Sequence, residues 1–357
     1  MNLKSLLREM IDKKASDVFV VAGLPIAYNL EGRQVRMDMP ALMPDDTQAV
    51  VAGLYELARR DMAAFLGNQN HDDDFSFAVA GLGRFRVNVF RQRGSLGAVV
   101  RVIPFELPDP HEFHIPREVM ACADLKKGLV LVTGPAGAGK STTLACLVDR
   151  LNNTREGHII TMEDPIEYVH SHKQCIVTQR EVPSDVATYN EALRSAMRES
   201  PDVILLGEMR DQETISTAMT AAEMAQLLFS TLHTMGAAAT VDRIVDAFPA
   251  NQQRQIRLQL SLVLQAVISQ QLVPTLDGGI VPAFEIMTAT PSIRNLIREE
   301  KTHQIDSAIA SSVDIGMRTM DQSLFNLVRD GYVAKQVALQ HAIHQKALEK
   351  RFAAEGI

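Results

Sequence analysis

The chain reads as an α/β protein, a parallel-sheet domain preceded by a smaller α+β domain, and three observations predict this. Residues 134–141 spell Gly-Pro-Ala-Gly-Ala-Gly-Lys-Ser, a G-x-x-x-x-G-K-S loop between an apolar β-branched run and a helical stretch. Beyond residue 125, short apolar runs at 158–163, 202–208 and 226–232 alternate with helical patterns, the rhythm of parallel βαβ units. Upstream, residues 16–103 hold strand-like runs broken by turn signals. Pro104, Pro108, Pro110 and Pro116 then crowd a stretch that suits an extended linker better than a helix or a central strand. The expected division is 1–104, a Pro-rich linker over 105–117, and 118–357.

Taken in order, residues 2–14 place Leu3, Leu6, Leu7, Met10 and Ile11 on one helical face, and 16–21 follow as a strand. Residues 26–37 suggest two strands joined at Glu31-Gly32, 44–66 a helix, and 75–103 a meander broken at Gly81-Leu82-Gly83 and at Gly94. In the second part, 128–133 is a short apolar strand and 141–151 carries apolar residues at helical spacing. The succession of strands and helices from there is a RecA-like layout. Residues 252–271 predict a long amphipathic helix, followed by a hairpin at Asp277-Gly278-Gly279 and several helices to the end. No internal repeat or low-complexity tract is present.

The glycine-rich loop points to nucleoside triphosphate binding, because a loop that wraps a polyphosphate must turn tightly and bring backbone N–H groups close to its oxygens. Gly134, Pro135, Ala136, Gly137, Ala138 and Gly139 form that wrap. Lys140 can reach the β- and γ-phosphates, Ser141 offers a hydroxyl to Mg²⁺, and Thr142 completes the start of a helix whose N-terminus favours anions.

The bulk numbers narrow the class. With 357 residues and 46% hydrophobic content, two domains can each bury a core. A net charge of −7 argues against a protein that holds nucleic acid through a basic surface. The three cysteines, Cys122, Cys146 and Cys175, have neither C-x-x-C spacing nor an even count, so they read as packing residues in a reducing compartment. No signal-like segment or spanning apolar stretch is evident, and the chain is expected to be soluble and cytoplasmic, with no direct membrane insertion.

Carboxylates follow the strand runs. Residues 159–167 end in Glu163, Asp164 and Glu167, and Glu163 is the one expected near the metal and attacking water; the other reading is that Asp164-Pro165 simply starts a turn. Glu208 stands where a Walker B carboxylate belongs, with Gly207 interposed, so its metal contact is direct or through water. Holding the metal and activating water are both open to it. His233 follows a third apolar run and would emerge at the same sheet edge, against the commoner structural role of a lone histidine. Arg84 and Arg86 share a strand face, as Arg91 and Arg93 are expected to. With Arg101 they read either as a solvated face or as arginine fingers reaching a nucleotide on a neighbouring subunit; Arg194, Arg198 and Arg210 are second-domain candidates.

Together, residues 159–167, Gln179-Arg180-Glu181-Val182, Gly207-Glu208-Met209-Arg210-Asp211 and Thr231-Leu232-His233-Thr234 resemble the boxes of the secretion ATPase superfamily, and the likeness covers nearly the whole chain. Residues 292–299, Ser-Ile-Arg-Asn-Leu-Ile-Arg-Glu, resemble the Ala-Ile-Arg-Asn-Leu-Ile-Arg-Glu motif of its pilus-retraction branch. The resemblance implies a PAS-like first domain, a Walker A loop over 134–141, Glu163 in the Asp box, Glu208 in Walker B and His233 in the His box. It further implies ATP and Mg²⁺, a homohexamer with ATP between subunits, docking on the cytoplasmic side of an inner-membrane pilus platform protein, and a motor for type IV pilus retraction and twitching motility.

Glu223-Met224-Ala225-Gln226 departs from the Glu-Thr-Gly-His usual in that branch, which leaves turnover rate and subunit coupling open. Residues 172–179 and 319–325 also resemble the accessory retraction paralogue, itself a candidate partner. An accessory ATPase or a weakly hydrolysing ATP-binding regulator therefore stands as the alternative. A pilus assembly or type II secretion ATPase would usually carry additional N-terminal domains and a four-cysteine insertion, and neither is seen here. A nucleic-acid translocase is disfavoured by the acidic charge and by an aromatic content of only 5%, which offers no stacking platform.

Overall fold

The computed structural model describes residues 2–30, 32–67, 71–103 and 106–357, so Glu31 of the expected turn, Pro104 at the expected end of the first domain and Phe105 at the start of the expected linker lie outside the described residues. The chain divides into two compact units, Met1–Glu106 with Glu167–Val169, and Leu107–Ile166 with His170–Ile357. Residues 107–116, with the remaining linker prolines, group with the second unit.

In the first unit, helix α1 (Leu3–Asp12) starts where the Asn2 side chain accepts from the Lys4 N–H, and it buries Leu6, Leu7 and Met10. Strands β1 (Asp17–Val20), β2 (Ala27–Leu30), β3 (Arg33–Arg36), β4 (Asp72–Val79), β5 (Gly83–Gln92) and β6 (Ser95–Ile103) form one antiparallel sheet in the order β3-β2-β1-β6-β5-β4. Along β5 the period of two is explicit: Phe85, Val87 and Val89 are fully buried, while Arg84, Arg86 and Asn88 take the other face. The single helix expected over 44–66 is instead two, α2 (Pro44–Leu57) and α3 (Met62–Gly67). Arg59 breaks it by taking a left-handed φ of 54°, and the Asp61 carboxylate then accepts from the Ala63 N–H to open the second helix.

The second unit opens with a short helix, α4 (Arg117–Met120). It is built on β7 (Gly128–Thr133), β8 (Gly157–Glu163), β9 (Cys175–Glu181), β10 (Val203–Leu206), β11 (Leu227–Leu232), β12 (Leu264–Pro274) and β13 (Ile280–Thr288), ordered β13-β12-β7-β11-β10-β8-β9. All neighbours run parallel except β12 and β13, which form the expected hairpin. Apolar layers cover both faces, since Leu129 and Leu131 of β7 pack into one core and Val130 and Val132 into another. That double burial is why these strands read as unbroken apolar runs. All three cysteines are buried, and burial pushes the Cys122 and Cys146 thiols up to about 12, which suits packing and not reactivity. Among the described residues, no helix is long and apolar enough to cross a membrane.

Helices α5 (Lys140–Thr154), α6 (Tyr189–Ala196), α7 (Gln212–Glu223), α8 (Ala237–Asp246) and α9 (Ala250–Val263) connect or flank the parallel strands. After β13 come α10 (Pro291–Arg298), α11 (Ile305–Ala310), α12 (Met320–Arg329), α13 (Lys335–His341) and α14 (Gln345–Ala354). The helix expected to run from 252 to 271 is corrected here: α9 stops at Val263 and Leu264 begins β12. Arg294 of α10 donates to the carbonyls of Ser261 and Leu262 at 2.6 and 3.0 Å, taking up acceptors that a longer helix would have used itself. The buried residues of the following run, Val267 and Ile268 among them, then pair with β7.

Candidate functional site

Strand register alone assembles the site. Leu232 pairs with Thr133, Leu206 with Ser230, and Leu206 also with Met162. The residues that follow these pairs stand together at the C-terminal ends of β7, β11, β10 and β8, Glu163 as the last residue of β8 itself. They are Gly134, His233, Gly207-Glu208 and Glu163 respectively. Parallel sheets bury both faces, so chemistry collects at this edge.

The glycine-rich loop connects β7 to α5. Gly134 has φ 141°, and a Cβ there would lie 2.1 Å from the Gln270 carbonyl oxygen, so no other residue fits. Gly139 takes a left-handed φ of 83° as the N-cap of α5. Pro135, Ala136 and Gly137 are exposed at the loop crest and Ala138 is buried beneath it. Lys140 Nζ donates to the carbonyls of Gly134 and Pro135 at 2.8 and 2.9 Å, which holds the ammonium against the start of the loop. Ser141 and Thr142, half-buried, occupy the first turn of α5 beside its positive end.

Three of the sequence-predicted residues meet directly. Glu208, nearly buried, accepts from Arg210 at 2.5 Å on one oxygen and faces His233 Nε2 at 3.5 Å on the other. The hydrogen bond and charge of Glu208 push the Arg210 guanidinium pKa upward. On the adjacent strand end, Glu163 accepts from Thr161 Oγ1 at 2.6 Å and from Gln179 Nε2 at 3.3 Å. Burial drives the Tyr189 phenol up, and the charges of Glu208, Asp164 and Glu163 drive it the same way, so all three carboxylates act on one hydroxyl. Among the described residues, no group of three or more His, Cys, Asp or Glu side chains is arranged to hold a metal. The Ser141 hydroxyl and the Glu208 carboxylate are hard oxygen donors of the type Mg²⁺ takes alongside phosphates and waters, so the donor chemistry fits that ion.

The first-unit arginines form a separate group. Arg86 lies directly opposite Arg101 across β5 and β6, with Arg84 two residues along the same face. Like charges facing each other repel. Here they are offset by Asp17, 2.7 Å from Arg101, and by Asp74, 3.9 Å from Arg86. Arg93 does not share a strand face with Arg91, because it sits in the turn between β5 and β6 with φ 45°. In the second unit, Arg194 pairs with Glu213 at 3.0 Å and Arg198 donates to the Arg194 carbonyl at 3.1 Å, both lining a cleft of about 460 Å³ with Arg180.

Sequence reasoning missed Tyr189 and Gln270. Tyr189 carries no local signal, and it fits because Gly207 has no side chain: a Cβ there would lie 2.7 Å from the phenol oxygen. Gln270 was hidden inside the run read as helix. Reading the apolar residues 266–268 and 272–273 as a strand would have placed it beside the loop.

The sequence pattern of the Type II/IV secretion system protein family matches residues 116–280. The chain is similar to the type IV pilus retraction ATPase PilT of Pseudomonas aeruginosa, with 47% identity over 96% of this chain and 98% of that protein. It is also similar, at 40% identity over 96% of this chain and 89% of that protein, to the type IV pilus ATPase PilU of the same organism. The crystal structure of the pilus retraction motor PilT with bound ADP superposes with a TM-score of 0.87 at 44% identity, covering 98% of this chain and 99% of that one.

Proposed function

We propose that this chain, which belongs to the Type II/IV secretion system protein family, is an ATP-hydrolysing motor that powers type IV pilus retraction. One observation carries the reading: a complete phosphate loop, His233, Glu208 and Glu163 stand side by side on one sheet edge in a chain 47% identical to a retraction ATPase along nearly its whole length. The greater identity to PilT than to PilU, 47% against 40%, favours the main motor over the accessory role.

In this reading the loop N–H groups and Lys140 bind the phosphates. Ser141 and Glu208 would hold Mg²⁺, which supplies charge neutralisation at the phosphates when bound. Glu163, kept in place by Thr161 and Gln179, orients the attacking water, and Arg210 and His233 keep the Glu208 carboxylate aimed at the sheet edge. Arg84, Arg86 and Arg101 are the candidates to complete a neighbouring subunit's site in a homohexamer, because nothing in the loop itself supplies an arginine finger. The ring would work in the cytoplasm, peripheral to the inner membrane through a pilus platform protein, with a paralogous ATPase as a further partner.

The test is ATP hydrolysis by the purified chain beside Lys140→Ala, together with retraction in cells whose own motor is deleted. Hydrolysis and retraction that both vanish with Lys140→Ala support the motor. Retraction that persists without hydrolysis would sink it.

A further inference from the structure

We infer that Gln270 is the positioning residue of the phosphate loop, fixing the Ala138–Gly139 peptide so that its N–H is presented to a phosphate group. The inference rests on the reading of residues 134–141 as the nucleotide site and adds a residue from a distant strand to it.

Gln270 lies on β12, directly beside β7, and is 1% exposed. Its Nε2 donates to the Ala138 carbonyl at 2.5 Å, and its Oε1 accepts from Thr143 Oγ1 at 2.8 Å. Its main-chain oxygen closes the space where a Cβ on Gly134 would stand, and its amide nitrogen would lie 3.1 Å from a Cβ on Gly139. One residue thus touches the loop where it leaves the sheet, through its main-chain oxygen, and its side chain touches the loop where it enters the helix and in the first helical turn.

The consequence follows from peptide geometry. A trans peptide directs its C=O and N–H to opposite sides. Drawing the Ala138 carbonyl down onto Gln270 turns the Gly139 N–H away from the sheet, toward the concave side where a phosphate would sit. The loop could otherwise flip this peptide, because Gly139 has no Cβ to resist it. Thr143 sets the direction of the clamp. By donating to Oε1 it holds the amide with its NH₂ group facing Ala138. Glutamine alone satisfies both ends while neutral: a glutamate of the same shape lacks the donor, a lysine lacks the acceptor, and either would bury a charge.

The test uses the full-length chain with Gln270→Met, Gln270→Glu, Thr143→Val and the double variant Thr143→Val/Gln270→Met. Binding of a fluorescent ATP analogue, KM and kcat for ATP, and the thermal midpoint are measured for each. Gln270→Met should weaken ATP binding and raise KM by about tenfold, the loss of a buried hydrogen-bonded clamp, with a smaller change in kcat. Gln270→Glu should do the same, because the donor to Ala138 is gone. Thr143→Val should weaken binding by about threefold, and the double variant no more than Gln270→Met alone, since threonine acts through the amide. If Gln270→Met does not fold, Gln270→Glu and Thr143→Val carry the test. Wild-type nucleotide affinity in a folded Gln270 variant, or fully additive effects in the double variant, would overturn the inference. A wild-type chain that fails to bind the analogue would instead overturn the nucleotide reading beneath it.

Discussion

The two sheets of this molecule use their strands in opposite ways. In the second unit β7 and β11 are buried along their whole length, and charge is displaced to the residues after the strands, where Glu208, Arg210 and His233 meet. In the first unit, β5 buries every second residue and carries Arg84 and Arg86 along its other, half-buried face, with Arg86 opposite Arg101. A sheet covered on both sides has only its ends for chemistry, whereas a sheet with one open side can spread charge along its strands. Substitutions in the first setting should therefore be felt in catalysis, and those in the second in local stability and in whatever approaches the face.

Glu208→Gln draws the contrast most strongly. It keeps the shape at the strand end and removes the charge, so ATP hydrolysis should fall by about 10²–10³-fold, the scale of losing one preorganised electrostatic partner, while nucleotide binding survives. Steady-state hydrolysis beside equilibrium binding checks this, and an unchanged rate would remove Glu208 from the account.

Arg101→Ala probes the other sheet. Burial pushes the Asp17 carboxyl up, but hydrogen bonds from Arg101, Ser16 and Asn29 outweigh it and hold it below its ordinary 3.8. A carboxyl whose folded pKa is depressed contributes stability above the unfolded value, and that contribution is lost as pH falls through the folded one. Because Arg101 is largely exposed, its removal should cost only about 1 kcal/mol at neutral pH, and the difference from wild type should shrink below roughly pH 4. Urea unfolding with hydrogen exchange read in β1 and β6 measures it. A difference independent of pH would show that the ion pair is not its origin.

Ala225→Gly should have the smallest effect and the opposite sign. The residue just past α7 takes a left-handed φ of 77°, a conformation that glycine tolerates and alanine resists. This is the position where the retraction branch usually has glycine. Substitution should stabilise the chain by about 0.5–1 kcal/mol, the relief of strain less the added freedom of the unfolded chain. Thermal unfolding would show it, and a lower midpoint would mean that Ala225 makes a contact worth more than the strain.

How much of this was legible follows from the same contrast. Parallel strands announce themselves as short apolar runs, and the residues that close or follow each run stand at the edge of the sheet, so the loop and the positions of Glu163, Glu208 and His233 could be read directly. The edge strand β9 could not. Its exposed Ile176 and half-buried Thr178, Gln179 and Arg180 give no apolar run. Strand β12 was obscured because α9 leads into it without a break in apolar content, and the stop comes from Arg294, a residue some thirty positions away. Tyr189 and Gln270 matter through contacts across the sheet and were therefore invisible to local pattern. Arg93 was misplaced because a turn, not a strand, sets its conformation.

The most direct test of the central claim, that the sheet edge is an ATPase site completed in an oligomer, is hydrolysis measured against protein concentration with sizing in parallel, for the wild type and Arg86→Ala. Activity per chain should rise as hexamers form, and Arg86→Ala should assemble and bind ATP but turn it over at least about tenfold more slowly. A hexamer that binds ATP without hydrolysing it, or full activity in isolated chains, would contradict that claim.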